Sequence, residues 1–260
     1  IKVVLIKRKF MRSLKKVYKK SVFCYRGDKD MASTDKSEKK QAFLMRFTKI
    51  LFEPEITYEN ETKQNNMLRE PCVIICNHSR RTRKNRFVAC DGAMIRYVFN
   101  NKNVCSLMAA DLMEKPLFKV VVSGCDCIPV FRNAASTEWI HKCKEKLDEG
   151  KSVIIFPEGT TLKEKDIEPF KAGFALLAKI ADVKILPMAI GGVYQPLAKN
   201  KLKIKVGVPR KLDIQNSTPA GLEKEAHRFQ NMVEDMFLSL NDSDIKQNDS
   251  FESDKKKILM

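Results

Sequence analysis

The chain has 260 residues, enough for one substantial domain with appendages, and its 49 Lys and Arg against 32 Asp and Glu give a net charge of +17. Such an excess calls for an anionic partner, but no zinc-finger spacing, RNA-binding aromatic signature or basic zipper is present, so nucleic acid is set aside in favour of an anionic membrane surface. No apolar run reaches the roughly eighteen residues of a spanning helix, and the eight cysteines are scattered without a C-x-x-C pair, so they read as reduced core thiols with no metal site.

Residues 1–25 are dense in Lys and Arg, with Ile6, Phe10, Leu14, Val17 and Tyr18 recurring at helical spacing. That is a basic amphipathic helix, suited either to the face of an anionic membrane or to packing on its own domain. Charges interrupt its apolar residues, which does not fit a cleavable secretory signal. Residues 26–40 are charged and small, a connector, and a second amphipathic helix follows with Phe43, Phe47, Ile50 and Leu51 on one stripe. These pieces form an N-terminal region, residues 1–54.

From residue 55 strands and helices alternate, which predicts an α/β fold, a single domain over 55–240 with a largely parallel mixed sheet flanked by helices. Pro71-Cys72-Val73-Ile74-Ile75-Cys76 reads as a buried strand ending in Asn77-His78. Histidine is the residue type whose unperturbed pKa suits proton removal near neutral pH, which makes His78 the candidate base. The other two histidines, His141 and His227, fall in charged helical stretches and read as surface or interfacial. Asp91 is the sole acidic residue between Pro71 and Ala110, so a carboxylate partner for His78 from its own segment must be Asp91. Between them Arg80, Arg81, Arg83, Lys84 and Arg86 form a basic stretch, either a solvated loop or an anion-attracting rim.

Residues 124–132 are a strand finishing in Arg132, whose planar fork matches phosphate oxygens. Residues 139–149 form a charged helix. Ser152-Val153-Ile154-Ile155 is a second buried strand, closing on Phe156-Pro157-Glu158-Gly159-Thr160, which holds a glutamate between a rigid Pro and a permissive Gly, with its carboxylate expected to be exposed. Pro169-Phe170-Lys171-Ala172-Gly173 opens a helix, and residues 185–190 follow as a strand with Pro187 at its centre. One more strand spans 203–209. Residues 222–240 close the domain as an amphipathic helix, and 241–260 are expected to be a disordered polar tail.

Four of these pieces, in this order, resemble the glycerophospholipid acyltransferase family, best known for the lysophosphatidic acid (1-acyl-glycerol-3-phosphate) acyltransferases. The family's blocks are N-H-x-x-x-x-D, G-x-x-x-I-x-R, F-P-E-G-T and a V-P-like strand, matched here by Asn77-His78 with Asp91, Gly124 to Arg132, Phe156 to Thr160, and the strand around Pro187. The resemblance implies a peripheral enzyme on the cytoplasmic face of a membrane, transferring a fatty acyl group from acyl-CoA or acyl carrier protein to a lysophospholipid, with no bound cofactor. It implies His78 as general base and Asp91 as its partner. Arg132, Glu158, Gly159 and Thr160 would hold the acceptor and Pro187 would shape the acyl site; Arg80, Arg81 and Arg83 are candidate anion-binding residues on their charge alone.

Two departures stand out. Twelve residues separate His78 from Asp91 where relatives have four, and Thr161 stands where many relatives that form phosphatidate have Arg, with Lys163 or Lys171 as candidate replacements. The long insertion leaves room for a second reading, a catalytically weak lipid-binding relative with a broken dyad.

Overall fold

The computed structural model describes residues 53–59, 70–79, 91–99, 103–114, 126–131, 137–160, 166–192, 202–214 and 217–258, the last segment as backbone alone from 241 onward. The N-terminal amphipathic helices, the basic residues Arg80, Arg81 and Arg83, and Arg132 lie outside the described residues.

Seven strands form one sheet in the order β1-β7-β6-β2-β5-β3-β4. They are β1 (Glu55–Tyr58), β2 (Cys72–Cys76), β3 (Val104–Ala109), β4 (Cys127–Val130), β5 (Ser152–Ile155), β6 (Lys184–Gly192) and β7 (Leu202–Val206). Every neighbouring pair is parallel except β6 with β7. The sheet is therefore largely parallel and mixed, as the alternation of elements predicts. β2 and β5 are buried at every position because both faces of a parallel sheet are covered, which is why they read as unbroken apolar runs. β1 and β3 carry no comparable signature: β1 is a short edge strand of alternating exposure, and β3 is interrupted by Ser106.

Among the described residues five helices accompany the sheet: α1 (Asp91–Val98), α2 (Ala110–Met113), α3 (Glu138–Asp148), α4 (Gly173–Ile180) and α5 (Pro219–Ile258). Met94 and Ile95 of α1 pack on one face of the sheet, with Ile74, Ile154, Leu186 and Met188. Side chains of α3, α4 and α5, among them Cys143, Phe174 and Phe229, pack on the other with Val73, Ile75, Val153 and Ile185. The result is three layers around two apolar cores. The backbone of α5 runs on to Ile258, where the sequence reading ends the helix at residue 240 and assigns a disordered tail. Polarity removes the packing face, but the residues after Gly221 include no Gly or Pro to break the helix.

Pro187 lies inside the central strand β6, where a residue without an N–H is ordinarily excluded. The ladder accommodates it with a bulge. Met188 pairs with Val206 and Ile185 with Arg210, so Leu186 and Pro187 face the three residues Gly207, Val208 and Pro209. The Pro187 carbonyl still accepts from the Gly207 N–H at 2.9 Å.

The topology also creates a crevice. The chain leaves β2 toward α1 on one face and leaves the adjacent β5 toward α4 on the other. Adjacent parallel strands whose connections diverge in this way open a gap at their C-terminal ends, where ligands bind in open α/β sheets. His78 follows β2, and Phe156 to Thr160 follow β5.

Candidate active site

β2 is fixed at its C-terminal end by Asn77, which is fully buried. Its side-chain Nδ2 donates to the Ile190 carbonyl and its Oδ1 accepts from the Ile190 N–H, both at 2.9 Å, continuing the β2–β6 ladder by one side-chain step. His78 comes next, and Asp91, Phe156 and Glu158 all hold it. Its Nδ1 lies 2.9 Å from Asp91 Oδ2. Its ring stacks on Phe156, with centroids 4.2 Å apart and planes 12° from parallel. Its backbone N–H donates to Glu158 Oε1.

Asp91 is buried at the first position of α1, and α1 packs on the same face of the sheet as Phe156. That shared face brings Asp91 to His78 across thirteen positions of sequence, so the insertion does not part the pair. A buried carboxylate needs donors to offset its lost hydration. Besides the imidazole, Asp91 receives the Ser79 N–H on Oδ2 at 3.1 Å and the Ser79 hydroxyl on Oδ1 at 2.8 Å. With Nδ1 as donor to Asp91, Nε2 is the basic nitrogen, and the side chain is 17% exposed, enough for its ring to be reached.

The loop after β5 is a tight turn closed by the Gly159 N–H on the Phe156 carbonyl at 3.1 Å. Gly159 has φ +65°, which a side chain would strain, and a Cβ there would fall 3.0 Å from Lys171 Nζ. Lys171 is tied to the same turn, its N–H donating to the Pro157 carbonyl at 3.0 Å. Gly159 is exposed and Thr160 half-buried at the mouth of the crevice. Glu158 is buried, with Oε2 accepting from the Glu168 N–H at 2.8 Å. Its two carboxylate oxygens thus each accept from a backbone amide, one from His78 and one from Glu168.

Pro187 is buried in the sheet, opposite Ile75 and against Gly207. His141 and His227 are exposed on α3 and α5, away from the crevice. Ser79 and Phe156 are site residues that the sequence reading did not assign. The strand register, extended one step beyond Ile75 and Ile155, puts Phe156 diagonal to His78 on one face, a spacing that aromatic rings bridge. Among the described residues no cluster of His, Cys, Asp or Glu could hold a metal ion, and no helix is long and apolar enough to cross a membrane.

The profile of the acyltransferase family matches residues 55–191, more than half of the chain, and that span contains every residue of this site. The chain belongs to the acyltransferase family. Among curated relatives of this acyltransferase, a 1-acyl-sn-glycerol-3-phosphate acyltransferase of Helicobacter pylori is 32% identical over 96 residues, 35% of this chain and 40% of that protein. A 1-acyl-sn-glycerol-3-phosphate acyltransferase of Cocos nucifera is 41% identical over 54 residues, 21% of this chain and 18% of that protein. The matched stretches therefore span less than half of those relatives. The solved 1-acyl-sn-glycerophosphate (LPA) acyltransferase PlsC of Thermotoga maritima shares the fold, with TM-score 0.57 and 18% identity, over 87% of this chain and 92% of that one.

Proposed function

We propose that this acyltransferase moves a fatty acyl group from a thioester, acyl-CoA or acyl-acyl carrier protein, to the free hydroxyl of a lysophospholipid such as 1-acyl-glycerol-3-phosphate. The observation that carries the reading is the 2.9 Å contact of His78 Nδ1 with Asp91 at the mouth of the crevice. Asp91 holds the ring and stabilises the imidazolium, and Nε2 takes the proton of the acceptor hydroxyl as its oxygen attacks the thioester carbonyl. The tetrahedral intermediate collapses with breakage of the C–S bond, and the proton passes from Nε2 to the departing thiolate. An ester and a free thiol result.

The relatives named for 1-acyl-sn-glycerol-3-phosphate support an acceptor bearing a phosphate. Arg132, with the cations Arg80, Arg81 and Arg83, would neutralise that group. The +17 charge and the basic residues 1–25 support a peripheral place on an anionic leaflet, on the cytoplasmic side where acyl thioesters are made.

The test is product formation by purified protein from oleoyl-CoA, or oleoyl-acyl carrier protein, with 1-acyl-glycerol-3-phosphate, read by mass spectrometry. Diacylated phosphate product is expected, and it should fall sharply when monoacylglycerol replaces the phosphorylated acceptor. Equal use of both acceptors would remove the phosphate from the reading, and no product from either donor would overturn acyl transfer to glycerolipids. His78→Ala should lower kcat by ~10² to 10⁴, the worth of a positioned base.

A further inference from the structure

Glu158 occupies an unusual position for a substrate ligand. It is 3% exposed, and each of its carboxylate oxygens already accepts a backbone N–H, Oε1 from His78 and Oε2 from Glu168. The two donors come from segments 80 and 10 positions away in sequence. One belongs to the turn after β2. The other follows Ile167, which is anchored in the core with Phe170 and Phe174. A single side chain thus joins the loop after β2, the loop after β5 and the segment leading into α4.

We propose that Glu158 is a positioning residue for the acyl-transfer step, acting through the His78 backbone and not through the acceptor. This rests on the reading of His78 as the base. Among the contacts that locate the imidazole are Asp91 on Nδ1, Phe156 on the ring face and Glu158 on the main-chain N–H. The first two set the rotation of the ring. The third sets where the Cα from which it hangs sits relative to β5. A carboxylate is suited to that task because it presents two acceptors and no donor. An amide has one acceptor and would point its NH₂ at the second N–H, and an aspartate is one methylene too short to span both amides. A small displacement of the base from the attack geometry costs rate without weakening substrate binding.

The experiment is steady-state kinetics of full-length wild type, Glu158→Gln and His78→Ala with oleoyl-CoA and 1-acyl-glycerol-3-phosphate, varying each substrate in turn. Glu158→Gln should lower kcat ~10²-fold, the scale of a misplaced reacting group, with acceptor KM near the wild-type value. A rise of about tenfold in acceptor KM at unchanged kcat would overturn the proposal and return Glu158 to the acceptor hydroxyls. An unchanged kcat and KM would overturn it as well. Should the glutamine variant fail to fold, Glu168→Pro deletes the second N–H from outside the site; kcat falls at constant acceptor KM if Glu158 is a strut, and stays at wild type if it is not. The His78→Ala arm reports separately. Substantial activity there would sink the base assignment itself, whichever way Glu158 behaves.

Discussion

Ser79 shows how a short polar residue is recruited once a buried charge sits beside it. Asp91 is 2% exposed, and two of its donors come from Ser79, the backbone N–H and the hydroxyl. Ser79→Ala removes the hydroxyl bond alone, a charge-assisted contact of about 1.5–3 kcal/mol, while Asp91 keeps the imidazole and one amide. If the loss is expressed in the transition state, kcat should fall about tenfold or more, with acceptor KM little altered. Rates measured across acceptor concentrations check this; an unchanged kcat would mean that the partners left to Asp91 suffice to hold the carboxylate. His78 itself was legible in the sequence because an apolar strand delivers it to a turn. Ser79 was not, since a serine after a strand is unremarkable until its carboxylate partner is in place.

At the scale of elements, the bulge between β6 and β7 binds Pro187 to Gly207. A Cβ on Gly207 would stand 2.9 Å from the Pro187 carbonyl oxygen and 3.0 Å from its ring Cγ. Both neighbours are main chain or a rigid ring, so neither can give way. Gly207→Ala should therefore destabilise by about 1–3 kcal/mol, as overpacking does, visible as a lower Tm. A melt matching wild type would show that the bulge can open at little cost.

The strands also decide the reactivity of the thiols. Burial pushes the Cys72 thiol up to about 11, despite the Ser152 hydrogen bond and Lys184 acting downward, and burial with Asp126 nearby pushes Cys105 up to about 12. Burial raises Cys143 further still. The thiolate is the reactive form, and it rises with pH toward these values. In folded protein at pH 8, iodoacetamide should therefore leave Cys72, Cys105 and Cys143 unmodified, by peptide mass mapping, and should reach them on unfolding. Rapid native labelling of any of the three would show that its strand or helix opens locally.

At the scale of the whole molecule, charge and the crevice address one another. The β2 and β5 ends that carry His78 and Glu158 lie side by side in the sheet, the sequence that follows His78 is basic over residues 80–86, and a basic amphipathic stretch precedes the domain. Removing residues 1–52 should weaken binding to vesicles containing phosphatidylserine, and raised salt should mimic part of the loss, because exposed charges are screened within a Debye length of about 8–10 Å. Co-sedimentation with vesicles checks this. Undiminished binding by the truncated protein would assign those residues to packing on the domain.

The sequence by itself determined the apolar strands β2 and β5, the alternation that makes the fold α/β, and the identity of His78 and Asp91 as a pair. These follow from local rules: burial on both faces leaves an unbroken apolar run, and one carboxylate in a long stretch leaves no other choice. Tertiary structure decided the rest. β5 is inserted between β2 and β3, although four strands precede it in the chain, and that order alone sets Phe156 on the His78 ring and Glu158 under its backbone. Glu158 reads as an exposed carboxylate when its neighbours are only Pro157 and Gly159. It becomes a buried strut because two N–H groups from distant segments arrive beside it, and no local pattern encodes where those segments will stand.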